Sequence, residues 1–223
     1  AWRTSFQPLP GDLRAVYGFG SEDIWALGSA GTVVHFDGYG WHVVPSDTSA
    51  ELRGLWASGP KDLWLVGDGG TVLRYDGATF RKVSGAAASN DLKAVAGTGP
   101  SDVWIVGSEG ILRWDGAALA PFDPMLKLSF SQVLPVAPGE VYVAEGLLAH
   151  YKGGQRTLTS TPDIVVGLWG GAGDVSVGFQ DGTVRRFDDK VLGAAQSAGV
   201  GGGARFSRDG GIWAFGDGGI ARL

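Results

Sequence analysis

Six copies of one short pattern, in a chain rich in glycine and tryptophan, predict an all-β fold: a six-bladed β-propeller of four-stranded blades. The three most regular copies read Asp-apolar-Trp-apolar-apolar-Gly and are Asp23–Gly28, Asp62–Gly67 and Asp102–Gly107. Weaker copies follow at Glu140–Val143, Asp174–Gly178 and Gly211–Gly216. Successive anchor positions are 34 to 40 residues apart, the length of a propeller blade. The 39 glycines and 9 tryptophans fit short strands joined by tight turns.

Each repeat carries parts that predict three further strands around this anchor strand. In the second repeat a strand at Leu52–Trp56 precedes the anchor, and a Gly-rich turn leads to another strand at Val72–Tyr75. Asp76-Gly77 then favours a hairpin, because both residue types tolerate the positive φ of such turns. The fourth strand opens at Phe80, five residues after the aromatic that ends the third strand. Its counterparts in the other repeats are Trp41, Leu119, Arg156 and Leu192.

The two ends of the chain are predicted to complete one sheet. The last repeat ends with its third strand, whereas Trp2 precedes Leu13 by 11 residues, the spacing that also separates Trp41 from Leu52. The N-terminal strand is therefore expected to fill the last blade and close the ring, which pairs both open edges. This makes residues 1–223 a single domain. Its predicted blades are residues 13–45, 52–84, 92–123, 130–159, 164–195 and 201–223, the last completed by residues 1–8.

Charge and composition exclude several classes of function. The net charge is -5 and the pI is near 5.1, whereas phosphate binding relies on a surplus of Lys and Arg, so no nucleic-acid partner is expected. No apolar run approaches the roughly 18 residues of a membrane span. The absence of cysteine excludes disulfides and thiol catalysis. We expect a monomer in an exported bacterial setting: secreted, periplasmic or on the cell surface.

The order of features in the second repeat points to a family resemblance. Its successive segments are Trp41–Pro45, Leu52–Trp56, Asp62–Trp64 and Gly70–Gly77. This order resembles the Trp-rich repeat of the tectonin group of propeller lectins, and it is similar to Trp- and Gly-rich propeller repeats of exported bacterial proteins. The resemblance spans the chain and implies glycan recognition without catalysis. The anchors Tyr142 and Ser176 depart from the pattern, which argues against six equal sugar sites.

The repeated acids and the histidines are interpreted as structural. An acid that opens each of five equivalent strands is expected to cap a turn by accepting backbone N–H bonds. These acids are Asp23, Asp62, Asp102, Glu140 and Asp174. The same turn chemistry is expected of Asp37, Asp76, Asp115 and Asp188. His35 and His150 occupy the position of Arg74 in the second repeat, so they are interpreted as substitutions rather than a metal pair. No catalytic residue, cofactor or metal site is predicted.

Two sets of charged residues are candidates for ligand binding. The first strands begin with the cations Arg14, Arg53 and Lys93. The turns between second and third strands carry Asp68, Glu109, Glu145, Asp181 and Asp217. If both sets share one face, the cations can hold an anionic or hydroxyl-rich ligand, with Arg as a bidentate donor. The alternative is that these charges are solvated or neutralise one another between neighbouring blades.

The aromatic residues divide into a core set and a candidate binding set. The core set shares one strand position and comprises Trp25, Trp64, Trp104 and Trp213. The candidate set departs from that position or lies near loops, and comprises Trp56, Trp114, Trp169, Tyr17 and Tyr39. Exposed rings of this kind stack on the apolar faces of sugars.

We therefore predict a non-enzymatic binding propeller, with carbohydrate recognition as its leading function. The alternative is a protein-interaction scaffold of an exported or surface assembly, and a propeller hydrolase or lyase comes third. A lectin requires exposed rings beside Arg or Asp in several similar pockets, whereas a scaffold requires one continuous patch. An enzyme requires unrepeated polar residues that converge on a pocket.

Overall fold

The computed structural model describes residues 11–86, 90–197, 203–206, 212–216 and 219–222. The chain divides into two units, Ala1–Lys127 (unit 1) and Leu128–Leu223 (unit 2). Strands make up nearly all regular structure in the described residues, where the helical content is the short 3-10 turn Ser29–Gly31. The predicted all-β class is confirmed.

Unit 1 contains three four-stranded antiparallel sheets, each with its strands in chain order. Sheet 1 comprises β1 (Leu13–Gly20), β2 (Asp23–Gly28), β3 (Val33–Phe36) and β4 (Trp41–Val43). Sheet 2 comprises β5 (Leu52–Gly59), β6 (Asp62–Gly67), β7 (Thr71–Tyr75) and β8 (Phe80–Lys82). Sheet 3 comprises β9 (Leu92–Gly99), β10 (Asp102–Gly107), β11 (Gly110–Trp114) and β12 (Leu119–Pro121). The first strand of sheet 2 packs beside the first strands of sheets 1 and 3.

Unit 2 contains two four-stranded sheets and, in its described residues, one three-stranded sheet. Sheet 4 comprises β13 (Gln132–Ala137), β14 (Glu140–Ala144), β15 (Leu147–Lys152) and β16 (Gln155–Ser160). Sheet 5 comprises β17 (Val165–Gly171), β18 (Asp174–Phe179), β19 (Thr183–Phe187) and β20 (Gln196–Ser197). Sheet 6 comprises β21 (Gly203–Phe206), β22 (Ile212–Gly216) and β23 (Gly219–Arg222). Here too the first strands are neighbours, β13 of β17 and β17 of β21.

The predicted strand positions agree with the observed ones, with one correction in sheet 5. The fourth strand predicted at Leu192 is absent there: Leu192 forms an isolated bridge with Phe187, and β20 pairs from Ser197 onto Thr183. The intervening residues 193–195 are Gly-Ala-Ala, which lack the β-branched and aromatic side chains that favour strands. Residues 1–10, with Trp2, and Leu223 lie outside the described residues, so ring closure and a count of six blades stay predictions.

The anchor tryptophans form the core, as predicted. Trp64 and Trp104 are fully buried and Trp25 is nearly so, while the side chain of Trp213 lies outside the described part of the chain. Trp25 clusters with apolar residues of sheet 2, and Trp64 with those of sheet 3. Because a middle sheet is covered on both faces, its anchor strand is apolar throughout rather than alternating.

The predicted hairpin role of four aspartates is confirmed. Asp76 Oδ1 accepts the backbone N–H groups of Thr79 and Ala78, each at 3.0 Å, and these bonds lower the pKa of Asp76. The corresponding carboxylates each accept the N–H groups of the residues two and three positions further along the chain, which lowers their pKa values too; they are Asp37, Asp115 and Asp188. Glycine follows the aspartate in the three hairpins of unit 1, at φ of 90° to 99°. In unit 2 this place is taken by Asp189, at φ of 69°.

Candidate functional site

Each four-stranded sheet in the described residues pairs the acid of its second strand with a basic residue of its third. Arg74 Nε donates to Asp62 Oδ1 at 2.6 Å, and the guanidinium lies 5.0 Å over the Trp64 ring. The corresponding pairs are Asp23–His35, Asp102–Arg113, Glu140–His150 and Asp174–Arg186. The expectation that these acids cap turns is corrected by this pairing. Arg74 lies opposite Trp64 in the register, so its side chain reaches the acid two residues away on the same face.

The interpretation of two histidines as substitutions for arginine is confirmed. The His35 ring stacks on Trp25 with centroids 4.1 Å apart, and the His150 ring stacks on Tyr142 at 3.9 Å. Each imidazole thus lies between an aromatic ring and an acid, as the guanidinium groups of Arg74 and Arg113 do in sheets 2 and 3.

Trp169, predicted as an exposed stacking ring, is 7% exposed, so that prediction is wrong. A Cβ built on Gly178 would lie 2.7 Å from the Trp169 ring, which shows that this glycine makes room for the indole. Trp56 is half-buried for the same reason, because its ring lies over Gly97. The rings of Trp56 and Trp169, on the first strands of their sheets, therefore pack on glycine, and neither ring is fully exposed to solvent.

The other three predicted aromatics differ in exposure. Trp114 is half-buried, with its ring 5.3 Å from Trp64. Tyr17 is also half-buried, and its hydroxyl donates to Ala57 O at 3.2 Å. Tyr39, in the β3–β4 hairpin, is 98% exposed. Of the five candidates, Tyr39 is the ring that is open to a ligand.

The three predicted cations lie at one end of unit 1. Arg14, Arg53 and Lys93 are the second residues of β1, β5 and β9, of which β5 packs beside the other two. Arg14 Nε donates to Glu51, the residue before β5, so this ion pair joins two neighbouring sheets. We name the group formed by Arg14, Glu51, Arg53, Asp68 and Lys93 the charged rim.

Arg53 makes the most completely defined pair of the charged rim. Its Nε and Nη2 donate to the two carboxylate oxygens of Asp68 at 2.5 and 2.9 Å, a bidentate geometry. This hydrogen bonding raises the pKa of Arg53 and lowers that of Asp68. The side chains are 41% and 32% exposed, so solvent screening limits the contribution to stability to about 1 kcal/mol or less. The pair orients a guanidinium more than it holds the fold.

The two charged sets meet in part, as the sequence suggested. Asp68 is a turn acid that binds a predicted cation, whereas Asp181 accepts the hydroxyl and N–H of Thr183 at 2.7 and 2.8 Å, which lowers its pKa. Asp217 lies outside the described residues. The Arg14–Glu51 pair is the neutralisation between neighbouring sheets that the alternative interpretation predicts.

A second polar group, which we name the Asp189 cluster, lies in unit 2 and comprises Glu140, Tyr142, His150, Lys152 and Asp189. His150 Nε2 and Lys152 Nζ each lie 3.1 Å from Glu140 Oε1. His150 Nδ1 lies 3.6 Å from Asp189 Oδ1, and the Tyr142 hydroxyl donates to that same oxygen. Burial and this hydrogen bond raise the pKa of Tyr142.

The Asp189 cluster opens onto a pocket of about 250 Å³. Its lining residues are His150, Lys152, Gln155, Thr157 and Asp189. The register of sheet 4 explains this composition, because Thr157 lies opposite His150 and Gln155 opposite Lys152. One face of β15 and β16 thus presents polar side chains towards the hairpin that carries Asp189.

Sequence reasoning missed the Asp189 cluster because His150 fits the repeat as an ordinary substitution. Two departures from the pattern signal it. Tyr142 brings a hydroxyl to a position that holds tryptophan in unit 1, and Asp189 stands where the hairpins of unit 1 have glycine.

In the part of the chain that the structure describes, no three or more His, Cys, Asp or Glu side chains are arranged to hold a metal ion. Over the same residues, no helix has the length and apolar character to cross a membrane.

Comparison with known proteins gives structural likenesses and no family. No family model matches the sequence, and no curated protein matches it. A structure of YCF48 bound to a D1 peptide has a TM-score of 0.67 at 14% identity, covering 92% of this chain and 75% of that one. The extracellular domain of BT3049 from B. thetaiotaomicron has a TM-score of 0.75 at 15% identity, covering 95% of this chain and 33% of that one.

A third similar structure is catalytically inactive virginiamycin B lyase from Staphylococcus aureus with quinupristin. Its TM-score is 0.75 at 10% identity, covering 95% of this chain and 83% of that one. These proteins are β-propellers, and the comparisons give no support to the tectonin group in particular. With its repeated four-stranded antiparallel sheets, the chain is a β-propeller repeat protein.

Proposed function

We propose that this protein is a non-enzymatic binding propeller that holds an acidic peptide segment of a partner protein on the charged rim of unit 1. The observation that carries the proposal is the pair of half-exposed guanidinium groups on neighbouring first strands. Asp68 holds Arg53 in a bidentate geometry, and Glu51 holds Arg14 beside it.

The guanidinium groups keep donors for a ligand. Among the described residues, Nη1 of Arg53 and both Nη atoms of Arg14 donate no hydrogen bond. A guanidinium already oriented by one carboxylate loses less side-chain entropy when it binds a second. Lys93 adds a third positive charge on the next first strand. A peptide with two or more carboxylates matches this spacing of cations better than a single small anion does.

The likeness to YCF48 supports a peptide as the ligand, because that propeller is bound to a peptide. The likeness to an extracellular domain supports an exported location for this chain. The buried state of Trp169 and the half-buried state of Trp56 and Trp114 also favour a protein partner, since they remove three of the stacking rings that a lectin needs.

The test is binding of the full chain to a display library of acidic, neutral and basic peptides at low and high salt. We expect acidic peptides to be enriched at low salt and to be lost at high salt, because exposed charges are screened. Arg53→Gln is expected to weaken the selected peptide by about tenfold or more, the usual effect of losing a charged hydrogen bond. Arg81→Gln is the matched control, because Arg81 is 76% exposed and also pairs with an aspartate, but in the β7–β8 hairpin. An equal loss of peptide affinity in Arg53→Gln and Arg81→Gln contradicts the proposal, and so does enrichment of neutral peptides.

Glycan recognition is the second candidate, and the exposed Tyr39 ring favours it. Tyr39 lies in the hairpin where Asp37 and His42 are 3.0 Å apart, so a ring and a polar pair are adjacent. A glycan array with Tyr39→Ala separates the two candidates. Two results together would favour glycan recognition over peptide binding. These are saturable binding to a saccharide that Tyr39→Ala abolishes, and no enrichment of any peptide.

A further inference from the structure

We infer that the pocket beside Asp189 in unit 2 is a binding site for a primary ammonium group, carried by a small free amine or by a lysine side chain of a peptide. This site is separate from the charged rim and does not depend on the function proposed for it. Four observations lead to the assignment: net charge, hydrogen-bond geometry, backbone conformation and comparison with unit 1.

The carboxylates of the Asp189 cluster outnumber its Lys and Arg side chains by one. Glu140 and Asp189 each contribute a negative charge, and Lys152 contributes one positive charge that lies 3.1 Å from Glu140. His150 also lies against Glu140, at 3.1 Å. The ammonium of Lys152 therefore lies against Glu140, whereas Asp189 has no Lys or Arg side chain paired with it among the described residues.

The contacts of Asp189 leave its charge available to the pocket. Its Oδ1 accepts a hydrogen bond from the neutral hydroxyl of Tyr142, and His150 Nδ1 lies 3.6 Å away, beyond hydrogen-bond distance. Among the described residues, no Lys or Arg forms an ion pair with Asp189. A carboxylate that has no Lys or Arg partner in a partly closed site favours a cation as its ligand.

The lining of the pocket fits the three donors of a primary ammonium. Asp189, Thr157 and Gln155 line the pocket, and their side chains carry a carboxylate, a hydroxyl oxygen and an amide oxygen that can accept hydrogen bonds. Lys152 also lines this pocket, and its charge disfavours a ligand with a second positive group. A ligand with one ammonium group and a short carbon chain therefore fits better than a polyamine.

The backbone conformation at Asp189 is one that glycine adopts with less strain. Asp189 has φ of 69°, in the left-handed region that costs free energy for a residue with a Cβ. The three hairpins of unit 1 place glycine at the same position, so the repeat provides a less strained solution. The sequence keeps a charged side chain here instead.

Unit 1 shows what fills the equivalent space between two other sheets. There the Arg74 guanidinium lies 5.0 Å from the Trp64 ring and 5.4 Å from the Trp114 ring. The protein supplies its own cation to that space. In unit 2 the third-strand residue is His150, and the space contains a pocket instead. Lys152 supplies the positive charge beside Glu140, and a ligand ammonium beside Asp189 takes the space that the guanidinium occupies in unit 1.

The test is an NMR titration of the full chain that follows the imidazole signals. The sequence has three histidines, so the signal of His150 can be assigned by its loss in His150→Gln. The probes are propylammonium chloride, 1-propanol as the neutral analogue of the same length, and acetyl-lysine amide beside its Nε-acetylated form. We expect a saturable shift of the His150 signal with both ammonium probes and none with the two neutral ones.

The variants Asp189→Asn and Asp189→Gly are expected to weaken propylammonium by about tenfold or more, since each removes the carboxylate. Asp189→Gly introduces the residue that the unit 1 hairpins have at this position, so we expect the variant to fold. Asp174→Asn is the control, because it removes the same charge from an exposed site in unit 2 outside the pocket.

Tighter binding of acetyl-lysine amide identifies a peptide as the source of the ammonium, and tighter binding of propylammonium identifies a free amine. Equal shifts with propanol, no saturable shift with either ammonium probe, or unchanged affinity in Asp189→Gly overturns the assignment.

Discussion

Sheet 2 of unit 1 and sheet 4 of unit 2 use the same repeat position in two different ways. In sheet 2, Arg74 lies over Trp64 and pairs with Asp62, which fills the space with a cation and apolar rings. In sheet 4, His150 stacks on Tyr142, a smaller pair with a hydroxyl group. The third-strand position opposite the anchor is therefore a packing site in sheet 2 and a polar site in sheet 4.

Sheets 2 and 4 together show how a repeat fold acquires a local site. The strands, their register and the acid–base pair are the same in both sheets. What changes is the chemistry of three side chains. Within the sheet, indole becomes phenol and guanidinium becomes imidazole, and in the hairpin of the sheet that follows along the chain, glycine becomes aspartate. Because the scaffold does not depend on these changes, function can be confined to one part of a repeated structure.

Removal of the anchor ring from sheet 2 is expected to have the largest effect on stability. Trp64→Ala deletes a fully buried indole and is expected to lower the free energy of unfolding by about 3–5 kcal/mol. Denaturant unfolding followed by circular dichroism measures this effect. Trp114→Ala is the matched control, because this half-buried ring of the same cluster should cost clearly less. Equal losses of unfolding free energy in the two variants would mean that burial of the anchor ring does not dominate the stability of the sheet.

The next test removes the hydroxyl that distinguishes sheet 4. Tyr142→Phe keeps the ring and leaves Asp189 without its donor, so a loss of about 1–2 kcal/mol in the free energy of unfolding is expected. Tyr39→Phe changes the same group on a fully exposed ring and should have no measurable effect. A Tyr142→Phe variant as stable as the parent would show that the Asp189 cluster is not coupled to the fold.

The repeat made the architecture predictable, and the departures from it were harder to interpret. Anchor strands, hairpin aspartates and core tryptophans recur, so each is supported by several copies. The prediction of Trp169 as a surface ring is wrong because the ring packs on Gly178 of the neighbouring strand. The sequence alone does not show that these two residues are in contact. The contacts of Asp189 could not be predicted from the sequence, because its partners Tyr142 and His150 lie on another sheet. Contacts between sheets have no local sequence signature.

A smaller effect is expected from converting the unit 2 hairpin to the unit 1 form. Asp189→Gly relieves the left-handed strain of a residue with a Cβ, but it loses the hydrogen bond from Tyr142 and gains flexibility in the unfolded chain. These contributions oppose one another, so the free energy of unfolding should change by no more than about 1 kcal/mol. Thermal unfolding compared with the parent measures the balance. A large loss would mean that the carboxylate is needed for stability rather than for a ligand.

The smallest effect concerns the turn aspartates, which the two units share. The N–H groups of Ala118 and Ala117 hold the pKa of Asp115 below its ordinary value of 3.8. A folded-state pKa below the unfolded one means that the charge adds stability above pH 3.8, and that this part is lost as the pH falls through the folded pKa. Asp115→Asn keeps an oxygen acceptor but cannot titrate, so its stability deficit should shrink in acid. Asp188→Asn tests the same bonds in unit 2, and a deficit independent of pH in both variants would show that the carboxylate charge is not what these turns use.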